Sequence, residues 1–421
     1  MSGSFVRTCS STCPRCGRIV RATIVERAGD LFMLKSCPDH GVFDLLYWKD
    51  ASLYRFAQSV SAKGFRCEPP VCAEGVRCLR HLDRTTTVML DVTGRCNMRC
   101  PICLAGANDG KRADLALAEI DSFLPQNTSA SRPNLCIIGG EPTLHPDLPE
   151  IIRLVRARGY IPRLNTNGIR LLNSSYRATL RKAGLDWVIL QFDGFDDDIY
   201  RKLRGAPFLD KKLRMVDALL ADGFRVQFAV MLVKGVNDTE FDRLIRFALD
   251  KGVFWLSFYP NAAVMRHDLA SEVTHVSEAI DALERSTAGR VSRRDLMDTM
   301  RLLSTAHRLT GREILRQKLS VFPVVITKTR DGYVPITRLL RPLELAKNAS
   351  AAARLARETA RMWDFERRGM PRDVVVVNIE RFNSAHTIDL EEASECHMCW
   401  LTPGGTVAYD IYNCITRATC R

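Results

Sequence analysis

The chain has 421 residues, 46% hydrophobic and 26% charged, the balance of a soluble globular enzyme with one large catalytic domain and smaller additions at its ends. No apolar run approaches the ~20 residues that span a bilayer, and the polar stretch 1–16 lacks a signal-peptide core, so the expected location is the cytoplasm. The net charge of +13 suits anionic partners, and equally suits a basic surface that aids solubility.

Fifteen cysteines are the main compositional signal, and without an export signal their grouping argues for metal rather than disulfides. Residues 1–50 read as a small metal-stapled module. Cys13-Pro-Arg-Cys16-Gly and Cys37-Pro-Asp-His40-Gly form two knuckles with ligands at i and i+3, a spacing that suits one mononuclear zinc or rubredoxin-like iron. His40 is the natural fourth ligand and Cys9 a reserve. Residues 51–84 form a cysteine-bearing connector. Its Cys67, Cys72 and Cys78 offer three thiolates to an auxiliary cluster, and His81 is a candidate fourth ligand or a surface histidine.

Residues 85–270 alternate strands and helices. Strands are expected over 88–92, 134–138, 162–164, 187–192, 225–233 and 253–259, with helices over 115–124, 148–158, 176–183, 211–221 and 239–250. Right-handed crossovers between successive strands imply a parallel sheet, and six units predict an α/β, partial (β/α)6 TIM-like barrel. Functional residues then fall at the C-terminal ends of the strands. Cys136, inside an apolar strand, reads as a packed core thiol.

Residues 271–370 read as mainly helical, a substrate or partner region. Arg354, Arg357 and Arg361 share one helical side there, either as a solvated face or as a grip on an anionic substrate or membrane surface. Residues 371–421 close the chain with Cys396, Cys399, Cys414 and Cys420, four thiolates able to hold an auxiliary 4Fe–4S cluster or a structural zinc.

The chemistry centres on Cys96-Asn-Met-Arg-Cys100-Pro-Ile-Cys103. Three thiolates in a tight loop can ligate three irons of a 4Fe–4S cube and leave the fourth iron open to a chelating amino acid, such as the methionine part of S-adenosylmethionine (SAM). A zinc site would want a fourth ligand, and the next histidine is His145.

The Cys-x3-Cys-x2-Cys loop, Gly139-Gly140-Glu141-Pro142, Asn165-Thr166-Asn167-Gly168 and Gln191-Phe192-Asp193-Gly194 follow one another at successive strand ends. Together they resemble the radical SAM superfamily. The resemblance implies SAM, a SAM-cleaving 4Fe–4S cluster on Cys96, Cys100 and Cys103, and a 5′-deoxyadenosyl radical that attacks an unactivated C–H bond. It implies that Ile102 packs by the adenine. The backbone of Gly139, Gly140, Glu141 and Pro142 would approach the SAM amino group, while Thr166, Asn167 and Asp193 line the SAM and substrate cavity. The knuckles, Lys234-Gly235-Val236-Asn237-Asp238 and the C-terminal cysteines narrow the resemblance to the tetraether lipid synthase group, also described as class D methyltransferase-like. That group implies one or two auxiliary 4Fe–4S clusters, a mononuclear metal and a flavodoxin- or ferredoxin-type reductant.

The implied substrate is a lipid or other small molecule of anionic character, undergoing C–C coupling or C-methylation. Oxidation or epimerisation of a sugar or peptide is the alternative. Peripheral membrane contact fits a lipid substrate, and nucleic acid is not expected. A non-enzymatic metal- or nucleic-acid-binding protein leaves the ordered SAM motifs unexplained. The chain is short for the lipid synthase group, the 67–78 cysteines are widely spaced, and 310–370 matches it poorly.

Overall fold

Four strands open the chain: β1 (Ser4–Thr12), β2 (Ile19–Arg27), β3 (Asp30–Cys37) and β4 (Gly41–Trp48), paired antiparallel in sequence order. The knuckles are the turns at one end of this sheet. Gly17 and Gly41 close them at φ 73° and 75°, a left-handed conformation that glycine adopts without steric cost. The computed structural model describes residues 3–61, 86–110, 112–127, 133–262, 266–267, 273–310, 320–363, 370–384, 386–394 and 398–416. Cys67, Cys72, Cys78, His81, Cys396 and Cys420 lie outside the described residues.

The remaining strands are β5 (Thr87–Asp91), β6 (Ile102–Cys103), β7 (Asn134–Ile138), β8 (Ile161–Thr166), β9 (Trp187–Gln191), β10 (Arg225–Leu232), β11 (Trp255–Pro260), β12 (Arg266–His267), β13 (Val321–Thr329), β14 (Gly332–Pro335), β15 (Val374–Glu380), β16 (Met398–Thr402) and β17 (Gly405–Ala408). β6 and β12 pair only with each other. The others form an 11-stranded sheet in the order β14-β13-β15-β11-β10-β9-β8-β7-β5-β16-β17. The six expected strands are its parallel centre, β5 and β7 to β11, the partial barrel that the sequence predicts. β15 extends it in parallel beyond β11, and β16 does the same beyond β5.

Among the described residues, 271–370 are mainly helical, with β13 and β14 lying among the helices. The run Val-Phe-Pro-Val-Val-Ile-Thr of β13 is rich in β-branched residues and becomes a strand by pairing with β15. Residues 371–421 supply β15, β16 and β17 to the main sheet. Arg354, read as part of an open basic face, instead reaches the β13 backbone at Lys328 (2.8 Å) and pairs with Asp373.

One face of the sheet packs on helices such as Leu148–Ala157, which buries Leu148, Ile151, Ile152 and Val155 at helical spacing. The inner face carries Met89, Cys136, Trp187, Ile189, Val374, Val376, Met398 and Trp400. Ile388, Leu390, Ala393, Ile411 and Cys414 from the C-terminal segment pack on that face and fill it. Cys136 is a buried core thiol, as expected.

β15 and β16 stand at opposite ends of the parallel array, so their gap is the barrel's open side. Aromatic rings cross it. Tyr259 stacks on Phe382 (5.1 Å), Phe382 on Tyr409 (6.0 Å), Tyr409 on Trp400 (5.9 Å) and Trp400 on Tyr412 (4.5 Å). Among the described residues the gap is bridged by side chains and not by backbone ladders.

Candidate active site

The cysteine loop leaves the C-terminal end of β5 and is held by its own polar groups. Asn108, at φ 62°, accepts from the Cys96 N–H (2.8 Å) and donates to the carbonyls of Cys96 (3.0 Å) and Met98 (3.1 Å). Arg112 ties Asp91 to the Ala105 carbonyl (2.6 Å). Ile102 is buried among Ile199 and Leu203 of the helix Asp197–Arg204 and Met231 and Val233 at the end of β10.

Gly139 and Gly140 pack directly on the start of the cysteine loop. A Cβ on Gly139 would lie 2.5 Å from the Thr93 carbonyl, and one on Gly140 would lie 2.3 Å from the Arg95 carbonyl. The backbone that presses on them is therefore the cysteine loop. Gly140 N donates to Thr93 O (2.7 Å) and Glu141 N to Arg95 O (2.8 Å), so the glycine pair is the seat on which Cys96 is mounted. Pro142 starts the short turn that follows.

Glu141 is buried, and its carboxylate is saturated by the protein. It accepts from Thr143 N (3.1 Å), Thr143 Oγ1 (2.6 Å), Thr166 Oγ1 (2.6 Å) and Asn167 N (2.7 Å). It thus locks the end of β8 to the turn after β7. Asn167 Nδ2 faces Asn97 (2.7 Å) and lies 4.0 Å from the Cys96 sulfur, which puts this segment beside the cysteine loop.

Asp193 is fully buried and takes a fork from Arg204, with two bonds of 2.7 Å. Met231 N adds 3.1 Å, and Gln191 also donates to it. Arg204 also reaches Cys100. Burial opposes its charge, but Asp193 and Cys100 hold the guanidinium protonated well above its ordinary value. A fixed cation beside Cys100 offsets the negative charge that a thiolate there would bring.

Lys212 was not foreseen. Its ammonium is buried and donates to Asn167 O (2.7 Å), Gln191 O (2.8 Å) and Gln191 Oε1 (2.8 Å), joining the ends of β8 and β9. Burial pulls its pKa down to about 7, against the attraction of Asp193. A sequence signal existed: Lys212 sits on the same helical stripe as the buried Met215, Val216 and Leu219. Asn108 also had one, in the Asn-Asp-Gly turn at 108–110. Arg204 had none, because its partner lies across a turn.

Burial raises the Cys96 thiol to about 12, and Glu141, Cys100 and Cys103 add to the rise. The three sulfurs feel one another yet do not gather within 4.8 Å, as a single ion would require. Three thiols on one loop, spread wider than a tetrahedral ion allows and flanked by Arg204, fit the 4Fe–4S cube.

The N-terminal tetrad fits one ion. The ligand atoms of Cys13, Cys16, Cys37 and His40 all lie within 4.8 Å of one another. Cys16 and Cys37 are 3.9 Å apart, and His40 Nδ1 lies 3.7 Å from Cys13 and 3.5 Å from Cys37. A tetrahedron with metal–sulfur bonds of 2.3 Å has edges of about 3.8 Å. Burial opposes ionisation of the Cys13 thiol, but backbone N–H groups of Cys16 and Arg15 bring it down to about 6. Cys9 stands instead near Asp389 and Glu391.

At the C-terminus the structure does not bring Cys399 and Cys414 together. Cys399 lies in β16 and faces the helix-side core, whereas its neighbours Met398 and Trp400 face the inner side, where Cys414 packs. The Cys414 thiol donates to the Asn383 carbonyl at 3.2 Å.

Residues 90–248 match the radical SAM superfamily, and residues 5–49 match the HMPTM N-terminal zinc ribbon domain. Residues 90–248 carry a radical SAM domain. As a radical SAM enzyme it uses SAM and a 4Fe–4S cluster. It is 34% identical over 302 residues to the 7,8-dihydro-6-hydroxymethylpterin dimethyltransferase of Methanocaldococcus jannaschii, covering 68% of this chain and 60% of that protein. It is 30% identical over 204 residues to the GTP 3′,8-cyclase of Marinobacter nauticus, covering 47% and 61%. Streptococcus suis SuiB bound to S-adenosylmethionine superimposes with a TM-score of 0.42 at 16% identity, over 48% of this chain and 47% of that one. The chain therefore spans about three fifths of the length of these two curated relatives. The long match is to a pterin dimethyltransferase and not specifically to tetraether lipid synthases. No helix of the described residues is long and apolar enough to cross a membrane.

Proposed function

We propose that this radical SAM enzyme methylates carbon on a pterin-like heterocycle. The observation that carries this reading is the pairing of two matches: the HMPTM ribbon over residues 5–49 and the 302-residue likeness to a pterin dimethyltransferase. Cys96, Cys100 and Cys103 would hold the cluster, which supplies an electron to SAM and so a radical able to attack an unactivated C–H bond. The chain's own groups mount and shield that chemistry. Asn108 and the Gly139-Gly140 seat fix the loop. Arg204 neutralises charge at Cys100, and Lys212 and Glu141 lock the strand ends that form the cavity wall. Exclusion of water by the filled barrel protects a radical from side reactions.

The lipid substrate is not supported by these matches. A flavodoxin- or ferredoxin-type reductant remains part of the proposal. The test is an anaerobically reconstituted full chain given excess SAM, a reductant and 7,8-dihydro-6-hydroxymethylpterin. One SAM takes the hydrogen and leaves as 5′-deoxyadenosine and methionine, a second gives its methyl and leaves as S-adenosylhomocysteine, and the reductant supplies two electrons. Mass spectrometry should find a methylated pterin together with SAM cleavage products. 5′-Deoxyadenosine with unmodified pterin would sink the reading.

A further inference from the structure

The helix Asp197–Arg204 is docked on the cysteine loop at two points. Its Ile199 and Leu203 pack with Ile102, and a Cβ on Gly205, the residue after the helix, would lie 3.5 Å from the Arg99 carbonyl. Cys100 lies between Arg99 and Ile102, so the last helical residue, Arg204, is delivered to its sulfur. Burial raises the Cys100 thiol, and the guanidinium, within hydrogen-bond reach, pulls against that rise.

The cation is held in place from behind. Asp193 forks it with two bonds of 2.7 Å, and the two side chains are 10% and 0% exposed. Both Asp193 oxygens are fully used: one also accepts from Met231 N (3.1 Å) and the other from the Gln191 side chain. Asn237 fixes the Asp193 backbone, donating to the carbonyls of Asp193 (2.9 Å) and Met231 (2.8 Å). The Lys234–Asp238 segment thereby braces the carboxylate. The charges stand in the order Cys100, Arg204, Asp193. Buried charges act strongly on one another and are little screened by salt, so the nearer one, the cation, dominates at the sulfur.

We propose that Arg204, clamped by Asp193, sets the reduction potential of the 4Fe–4S cluster, which rests on the reading of Cys96, Cys100 and Cys103 as its ligands. One electron from the flavodoxin- or ferredoxin-type reductant takes the cluster from its 2+ to its 1+ state. The added negative charge is stabilised by Arg204 and opposed by Asp193. Arg204 acts through the cluster and not on the substrate. Its sign is fixed: the guanidinium makes the cluster easier to reduce, and the carboxylate moderates that effect while holding the guanidinium in place.

The test is a redox titration of the anaerobically reconstituted full chain, without SAM, read by electron paramagnetic resonance. One fixed pH keeps Lys212 in one charge state. The signal followed is the one that Cys96→Ala removes. Arg204→Gln can still donate to Asp193 but has lost the charge. It should lower the equilibrium constant for reduction about tenfold, a shift of about 59 mV to lower potential for one electron. Asp193→Asn should raise that constant by about threefold or more. Arg204→Lys keeps the charge and should stay within about threefold of wild type. Shifts of opposite sign are what charge produces, whereas a merely structural role would move both variants the same way. A wild-type potential in Arg204→Gln, or one direction of shift for both variants, overturns the proposal. If Arg204→Gln takes up no cluster, the direction of the Asp193→Asn shift decides. A Cys96→Ala protein that keeps every signal of the wild type overturns the cluster assignment beneath it.

Discussion

The two cysteine sites of this chain are built on opposite plans. The ribbon tetrad is drawn from two hairpin-like turns of an antiparallel sheet, and its four ligand atoms already stand at the spacing of one tetrahedral ion. Backbone N–H groups bring Cys13 toward ionisation before any metal arrives. The Cys96–Cys103 loop keeps its half-buried thiols apart, and burial holds Cys96 up at about 12 and raises Cys100. It has Arg204 waiting at Cys100. The ribbon is organised for an ion that staples the fold, and the loop for a larger group whose charge the protein offsets.

Removing one ligand from each site separates the two plans most sharply. Cys100→Ala should abolish SAM cleavage, a drop of about a thousandfold or more, while the ribbon keeps one metal equivalent. Cleavage assays and metal analysis on the same reconstituted sample decide it. Near-normal 5′-deoxyadenosine would show that the loop is not the cluster site.

Cys37→Ala, or a strong chelator, should do the reverse. The metal-free ribbon should open locally, with a loss of several kcal/mol of ribbon stability, because metal binding at such sites is folding free energy. The cluster should survive. The ribbon also grips the C-terminal segment: Lys35 Nζ donates to Thr12 O and His386 O, both at 2.7 Å, and Ser11 Oγ donates to Ile388 O at 2.7 Å. Hydrogen exchange should therefore rise in β1 to β4 and in 386–394 together. Protection unchanged in 386–394 would disconnect the two.

A smaller effect tests that same contact by pH. Glu392 is half-buried where the ribbon meets the C-terminal segment, and accepts from Tyr47 OH at 2.5 Å. Burial raises its pKa from 4.5 to about 7, helped by Asp389 and opposed by Arg381 and Arg7. The folded state thus holds a proton that the unfolded chain releases between those values. The stabilisation is fully present below 4.5 and is lost as pH rises through 7, by up to about 3 kcal/mol. Glu392→Gln keeps the shape and removes the titration. Thermal unfolding from pH 5 to 8 should fall for the wild type and flatten for the variant. Parallel curves would place the pH sensitivity elsewhere.

Much of this contrast was legible in the sequence because both sites use local spacing. The doubled knuckle and the Cys-x3-Cys-x2-Cys loop are written within a few residues, and so are the six strand–helix repeats. What depends on distant partners was not legible. Whether Val374–Glu380 and Met398–Thr402 become barrel strands is decided by β11 and β5, which lie far earlier in the chain. The role of Gly139-Gly140 depended on knowing that Thr93–Arg95 presses on them. The helical stripe marks Lys212 as inward-facing, but its partners, like the role of Arg204, emerge only when β8, β9 and the following helices are assembled.

The smallest expected effect concerns the cysteine that counts as a ligand by spacing alone. Cys396-x2-Cys399 has the separation of a metal knuckle, like Cys13 and Cys16. The ribbon pair sits in a turn, where a two-residue gap lets both sulfurs converge. Cys399 instead lies within a strand, paired with Val88 on one side and Ala408 on the other. Alternation sends its side chain into the helix-side core, where it is fully buried and acts on Tyr160. Cys414 packs on the other face. Cys399→Ala should therefore leave iron, sulfide and zinc contents unchanged and cost only about 1 kcal/mol through the lost packing of a small side chain. SAM cleavage should match the wild type. Loss of one 4Fe–4S equivalent would show that the C-terminal cysteines assemble a cluster despite the strand, and the contrast between spacing in a turn and spacing in a strand would fail at this position.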